Sequence, residues 1–162
     1  MIPRIGFGFD VHKLDTGLAL VIGGVSIPHT KGIVAHSDGD VLIHSICDAL
    51  LGAASLGDIG IHFPDTSADY KNIDSRILLS KTVELIRIKG YKIGNIDSTL
   101  CLEKPKIMPF ISQMKIELSK VIGISINDIS IKATTNEQLG YVGREDGVCA
   151  YAVVLIYNDS SI

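Results

Sequence analysis

Two histidines and a carboxylate carry the clearest chemistry in the chain. Asp10 and His12 stand two apart in Ile5-Gly6-Phe7-Gly8-Phe9-Asp10-Val11-His12, and His44 closes the stretch His36-Ser37-Asp38-Gly39-Asp40-Val41-Leu42-Ile43-His44. In an extended strand, residues i and i+2 project to one face, so one short segment aims a carboxylate and an imidazole together. A third ligand from elsewhere completes a His, His and carboxylate set with a fourth tetrahedral position open. That is the pattern of a catalytic rather than a structural zinc site. Taken alone, Asp-x-His also fits a turn-capping aspartate beside a surface histidine, and His44 fits a partly buried core residue. Asp48 lies one helical turn beyond His44 on the same face. It is the expected acceptor for the second ring nitrogen of His44, since a metal-bound histidine commonly donates its other N–H to a carboxylate or carbonyl.

Three further segments carry weaker signals. Thr134-Thr135-Asn136-Glu137 offers consecutive hydroxyls and backbone N–H groups that suit phosphate oxygens. Glu137 there suits a hard cation such as Mg²⁺, which takes one or two carboxylates plus substrate phosphates. The same residues also read simply as a strand end followed by a turn. Glu103-Lys104-Pro105-Lys106 can line a nucleotide pocket, and Asp58-Ile59-Gly60 with Phe63-Pro64-Asp65 forms a rigid acidic loop able to accept hydrogen bonds from hydroxyls. Cys47, Cys101 and Cys149 are unclustered, each in apolar sequence, and read as buried reduced thiols. Any metal is therefore bound by oxygen and nitrogen.

These groups need a scaffold, and the apolar pattern supplies one. Arg4 to His12 reads as a first strand, and Ala19–Ile22 with Val25–Ile27 as a hairpin turned by Gly23-Gly24. Residues 28–35 read as loop. From Val41, with Ser37 or Asp38 as cap, Ile43, Ile46, Cys47, Leu50, Leu51 and Ala54 predict a helix ending near Gly57. Residues 58–73 read as an ordered loop. Asp74 caps a second helix to about Lys89, a strand follows from Tyr91 to Leu102, and a third helix covers about Pro109 to Ile122. Ile129–Thr135 and Val148–Tyr157 are the closing strands. This order predicts a two-layer α/β or α+β domain with helices on one face of a mixed sheet. We expect an α+β two-layer sandwich of ferredoxin-like topology, with a mixed four-stranded sheet and a small β-hairpin. No helix remains to cover the other face, so self-association is expected.

Composition sets the outer limits. The 162 residues make a single domain, 1–162, with 46% hydrophobic and 20% charged residues, enough for a real core. A mean hydropathy of +0.34 is high for a soluble protein. Yet no apolar run approaches the ~20 residues that span a bilayer, and the N-terminus lacks a basic-then-apolar leader. A net charge of −3 argues against a nucleic-acid binder, which needs a basic face.

Read together, the segments resemble the 2-C-methyl-D-erythritol 2,4-cyclodiphosphate synthases of the non-mevalonate isoprenoid pathway along nearly the whole chain. The likeness rests on Arg4-Ile5-Gly6 with Gly8-Phe9-Asp10-Val11-His12, Gly23-Gly24-Val25 with Ile27-Pro28, and Ala35 to Val41 with His44. It continues through Asp48 to Ala53, Leu56 to Gly60, Phe63 to Thr66, Lys132 to Thr135 with Glu137, and Leu139-Gly140-Tyr141 with Arg144.

The resemblance implies one Zn²⁺ per subunit on Asp10, His12 and His44, and His36 and Ser37 against a substrate phosphate, with His36 stabilising the transition state. It implies Asp58, Ile59 and Gly60 with Phe63, Pro64, Asp65, Thr66 and Ser67 around the methylerythritol. Leu102, Glu103, Lys104, Pro105, Lys106, Ile107 and Met108 would embrace cytidine. Thr134, Thr135 and Asn136 would face the diphosphate, with Thr135 near the transferring phosphorus and Glu137 on Mg²⁺ or Mn²⁺. It further implies a homotrimer with active sites between subunits. Phe9, Tyr141 and Arg144 would lie near a threefold axis able to take an isoprenoid diphosphate. The location implied is the bacterial cytoplasm, or the plastid stroma in a plastid-bearing organism. Phe7, Tyr141 and Tyr151 depart from the family's usual histidine, phenylalanine and acidic residue; none is a metal ligand. A zinc phosphoesterase and a metal-stabilised binding module share the same triad and remain alternative functions.

Overall fold

The computed structural model describes residues 2–64, 70 and 73–158. Its first strand, β1, runs from Ile2 to Thr16, beyond the expected end at His12. The extension exists because a second strand, β4 (Lys31–Val34), pairs antiparallel with Lys13 to Thr16. That segment was expected to be loop. Four residues carry too little alternation to announce a strand, and it is the partner that satisfies their backbone groups.

The hairpin joins β2 (Val21–Ile22) to β3 (Val25–Ser26). Its Gly23 and Gly24 have φ of 61° and 73°, the tandem left-handed conformation of a tight hairpin turn. Then follow α1 (Val41–Ala53), the single turn α2 (Ile59–His62) and α3 (Ser75–Ile88). The strand β5 (Tyr91–Cys101) leads through a short 3₁₀ turn into α4 (Ile111–Ile122), then β6 (Ile129–Thr134), the short α5 (Gly140–Gly143) and β7 (Gly147–Asn158).

β7 lies between β1 and β5 and is antiparallel to both, while β6 runs parallel to β5 after the α4 crossover. The sheet order is β4-β1-β7-β5-β6. The α+β class with a mixed sheet and hairpin is as expected, but the sheet has five strands rather than four. The long strands and main helices also run β-α-α-β-α-β-β (β1-α1-α3-β5-α4-β6-β7) instead of the ferredoxin-like β-α-β-β-α-β. The last strand, β7, inserts into the middle of the sheet between β1 and β5.

Even-numbered residues of β1 face the helices. Two of them are glycines, and α1 lies directly on the backbone there: a Cβ at Gly6 would overlap the carbonyl oxygen of Ala49, and one at Gly8 that of Ser45. The close approach brings the first turn of α1 level with Asp10 and His12, the next even-numbered positions. Leu42, Ile43, Ile46 and Leu50 of α1 are fully buried in the core. Gly8→Ala must push α1 off the sheet and is expected to cost about 3 kcal/mol of stability. A urea denaturation curve reads the loss as a lower midpoint at unchanged slope.

Odd-numbered residues of β1 and of the middle of β7 point the other way and stay uncovered, whereas Cys149 on the same face is buried with Cys101 and Val142. Ile5, Phe7, Phe9 and Val11 are exposed, Phe7 by 63%, beside Tyr151 and Val153 of β7. Register places Phe7 opposite Val153 and Phe9 opposite Tyr151, and the rings of Phe9 and Tyr151 lie 5.0 Å apart. The face is a continuous apolar strip, larger than isolated surface residues would make.

Candidate active site

Asp10 and His12 leave β1 on its helix side, and His44 descends from the first turn of α1. The turn is fixed by Asp40, whose carboxylate accepts from Ile43 N at 3.0 Å and from the hairpin amides of Gly23 and Gly24 at 2.9 and 2.7 Å. Asp40, rather than Ser37 or Asp38, is therefore the cap of α1.

Three ligand-type atoms converge. Asp10 Oδ2 lies 3.0 Å from His12 Nε2 and 3.1 Å from His44 Nδ1, and the two nitrogens are 3.2 Å apart. Tetrahedral zinc with ligands at 2.0–2.2 Å has ligand–ligand edges of roughly 3.3–3.6 Å, so the set fits such an ion with little movement. All three groups are partly buried but open on one side. Burial pulls the Asp10 carboxyl upward, yet hydrogen bonds and charge from His12 and His44 hold it at about 2. Burial opposes the charge on His44, but the Asp10 carboxylate outweighs it and raises that group. Among the described residues, no other group of three histidine, cysteine or acidic side chains converges in this way.

The triad opens into a cleft of about 520 Å³. His36 and Ser37 line it beside His12 and His44, and Ile59, Gly60, Phe63 and Pro64 form the facing wall. The phosphate and methylerythritol positions expected from the sequence thus share one cavity with the metal-type ligands. Asp58 caps α2 by accepting from Ile61 N at 3.1 Å. Asp65, Thr66 and Ser67 lie outside the described residues.

One expectation fails. Asp48 does not hold the second nitrogen of His44: its Oδ1 accepts from Ile59 N at 2.8 Å and anchors α2. The nitrogen in question, Nε2, instead lies 2.9 Å from Ser75 Oγ, and Ser75 Oγ in turn donates to Asp38 Oδ1. Sequence reasoning missed Ser75 because it is 31 residues from His44, and no local spacing links a helix start to another helix's first turn.

A second cleft, of about 260 Å³, is lined by Leu102, Glu103, Pro105, Lys106, Ile107 and Met108 together with Thr134 and Thr135. The expected cytidine and diphosphate segments meet here. Lys104 turns away, to Glu145 Oε1 at 3.1 Å. Glu103 accepts from Asn136 N and Gln138 N, each at 3.2 Å, holding the loop that presents the exposed Glu137. Glu137 and Gln138 have positive φ, 51° and 63°, a left-handed turn that Glu103 stabilises. Tyr141 is partly exposed on α5, and Arg144 just beyond it pairs with Asp146 at 2.9 Å.

The two clefts share no lining residue. His12 pairs with Val148 on β7, Cys149 with Cys101 on β5, and Cys101 with Thr134 on β6. Three strand spacings, about 14 Å, therefore separate them along one end of the sheet.

Comparison with known proteins agrees with this geometry. A 2-C-methyl-D-erythritol 2,4-cyclodiphosphate synthase of Bacteroides thetaiotaomicron is 60% identical over 156 residues, covering 96% of this chain and 98% of that protein. The Bacteroides fragilis protein of the same name is 61% identical over 153 residues, 94% of this chain and 96% of its own. Among solved structures, the bifunctional IspDF of Campylobacter jejuni superposes with a TM-score of 0.92 at 40% identity, over 96% of this chain and 42% of that one. A CDP complex of Plasmodium falciparum IspF superposes with a TM-score of 0.85 at 36% identity, over 96% of both chains. The YgbB family model matches residues 3–157, through every element from β1 to β7 and through both clefts, and the chain belongs to that family.

Proposed function

We propose that the chain is an enzyme of isoprenoid precursor synthesis. It converts 4-diphosphocytidyl-2-C-methyl-D-erythritol 2-phosphate into 2-C-methyl-D-erythritol 2,4-cyclodiphosphate and CMP. The observation that carries this reading is the Asp10–His12–His44 triad opening beside His36 and Ser37, in a chain about 60% identical to synthases of that name. In the reaction a 2-phosphate oxygen attacks the β-phosphorus, and the bond from that phosphorus to the CMP oxygen breaks. Attack of one anion on another needs positioning and charge neutralisation more than a side-chain nucleophile. The three cysteines are buried and free, in keeping with that demand.

Asp10, His12 and His44 would hold Zn²⁺ as one carboxylate and two imidazoles with an open position. Glu137 would hold Mg²⁺ or Mn²⁺ together with the substrate's phosphates. When bound, these ions supply Lewis-acid polarisation of phosphoryl oxygens and neutralise charge on the departing CMP. His36 and Ser37 position the 2-phosphate, and Thr134, Thr135 and Asn136 donate to the diphosphate. The wall from Ile59 to Pro64 excludes water that would otherwise yield a linear product. ³¹P NMR with the cytidyl substrate and both metals tests this: CMP and a coupled cyclic diphosphate are expected. A linear phosphate would favour a zinc phosphoesterase, and no turnover would leave a binding module.

The working unit in this reading is a homotrimer with each active site shared by two subunits. Its support is the uncovered apolar strip and the separation of the two clefts, about 14 Å within one chain. An isoprenoid diphosphate on the axis would meet Phe9, Tyr141 and Tyr151, with Arg144 as its cation. We place the enzyme in the cytoplasm, or the stroma of a plastid; no helix among the described residues is long and apolar enough to cross a membrane. Val153→Asp puts a charge in the middle of the strip and is expected to yield monomers in sedimentation velocity, with activity lost in parallel. A fully trimeric, active variant would count against this assembly.

A further inference from the structure

Ser75 is the first residue of α3 and is fully buried. Its neighbour Asp38 is clamped to the same helix start from three directions. Asp38 N donates to Ile73 O at 3.1 Å, Asp38 Oδ2 accepts from Ser75 N at 3.0 Å, and Asp38 Oδ1 accepts from Ser75 Oγ. A hydroxyl carries one proton, and an ionised carboxylate only accepts. With that proton committed to Asp38, Ser75 Oγ has only lone pairs to offer His44 Nε2 at 2.9 Å. The contact is satisfied only if Nε2 carries hydrogen. In the neutral ring, with its one proton on Nε2, Nδ1 facing Asp10 and His12 offers its lone pair to a metal.

We propose that Ser75 and Asp38 form a positioning relay that holds His44 in its metal-binding tautomer and ring orientation. The inference rests on the reading of Asp10, His12 and His44 as metal ligands. It also assigns work to two residues, distant in sequence, that neither touch the substrate clefts' reacting atoms nor belong to the triad. Ser37 Oγ, at 3.4 Å from the same nitrogen, is the competing partner, but it is longer and already accepts from Gly39 N at 3.1 Å. Asp48 is occupied by α2.

The test is zinc affinity, measured by competition with a chromogenic chelator. It is paired with ¹⁵N NMR of histidine-labelled, zinc-loaded protein and a thermal melt for each variant. Ser75→Ala is expected to bind zinc 10–100-fold more weakly, a typical effect of removing a ligand's outer partner. It is also expected to lose the slowly exchanging Nε2–H signal of His44. Ser75→Thr keeps the hydroxyl and is expected to restore both, while Ser37→Ala leaves both in place. If Ser75→Ala proves too unstable to measure, Asp38→Asn decides, with an expected loss of about tenfold.

Unchanged affinity and exchange in the Ser75 or Asp38 variant would overturn the relay, as would finding the loss in Ser37→Ala instead. A merely structural role would lower the melting temperature and move neither readout. Wild-type protein that binds no zinc would defeat the metal reading itself and the relay with it. That outcome is distinct from a zinc-binding wild type matched by its Ser75→Ala variant.

Discussion

His44→Ala is expected to lower turnover about a thousandfold while the protein stays folded and oligomeric. The ring supplies one of three converging ligand atoms, and its Nδ1 lies 3.1 Å from the Asp10 carboxylate. Several kcal/mol of transition-state charge stabilisation depend on the completed set, and each 1.36 kcal/mol is about tenfold in rate. Stability suffers far less, because the site is open on one side and the core around Ile43 and Ile46 is unchanged. Steady-state kinetics, zinc content and a thermal melt check the three parts separately. Retained turnover, or an unfolded variant, would contradict the assignment. In the metal-free protein, the Asp10 carboxyl lies below its ordinary 3.8, at about 2. Its contribution to stability is thus present above pH 4 and is lost as the pH falls toward 2.

Asp40→Ala is expected to have the largest effect on stability, a loss of about 4 kcal/mol. The side chain is completely buried and satisfies three backbone N–H groups, those of Gly23, Gly24 and Ile43. Alanine leaves them without an acceptor at about 1–3 kcal/mol each in principle, part of which relaxation recovers. The loss of the α1 cap is included in that figure. Asp40→Asn retains one acceptor oxygen and is expected to lose roughly half as much.

Burial pushes the Asp40 carboxyl up to about 6, against the pull of the Gly24, Ile43 and Gly23 amides. A folded value above the unfolded one means that the folded state takes up the extra proton. The Asp40 contribution to unfolding free energy therefore rises as the pH falls from 7 through 6, and levels off below about 4. Urea titrations at several pH values read both effects: Asp40→Asn is expected to lack this rise. An Asp40→Ala protein as stable as wild type would show that the hairpin and α1 are held by other means.

The residues that made the site legible were those whose chemistry is local. Asp10 and His12 alternate on one strand, Gly23-Gly24 fixes a turn, and the apolar period of α1 places His44 on its inner side. What escaped was decided by contacts between distant segments. Asp40 outcompetes Ser37 and Asp38 as the cap because one carboxylate serves both the helix and a hairpin 16 residues earlier. β4 and the end of β1 are strands through their mutual pairing, and Asp48 bonds α2 while Ser75 bonds His44. The nucleotide segment 102–108 carried almost no signal of its own. Its role came from resemblance, and its shape comes from packing beside Thr134 and Thr135.

The central claim is that the triad of one subunit and the Thr134–Glu137 cleft of another act on one substrate. Co-expression of His44→Ala and Thr135→Ala chains tests it directly, by assaying CMP release from the purified mixed trimers. Each variant alone is expected to be inactive. In random mixed trimers about a quarter of the shared sites join an intact triad to an intact Thr135, so about a quarter of wild-type activity should return. Mixed trimers that form but remain as inactive as either parent would place the whole centre within one chain and contradict the account.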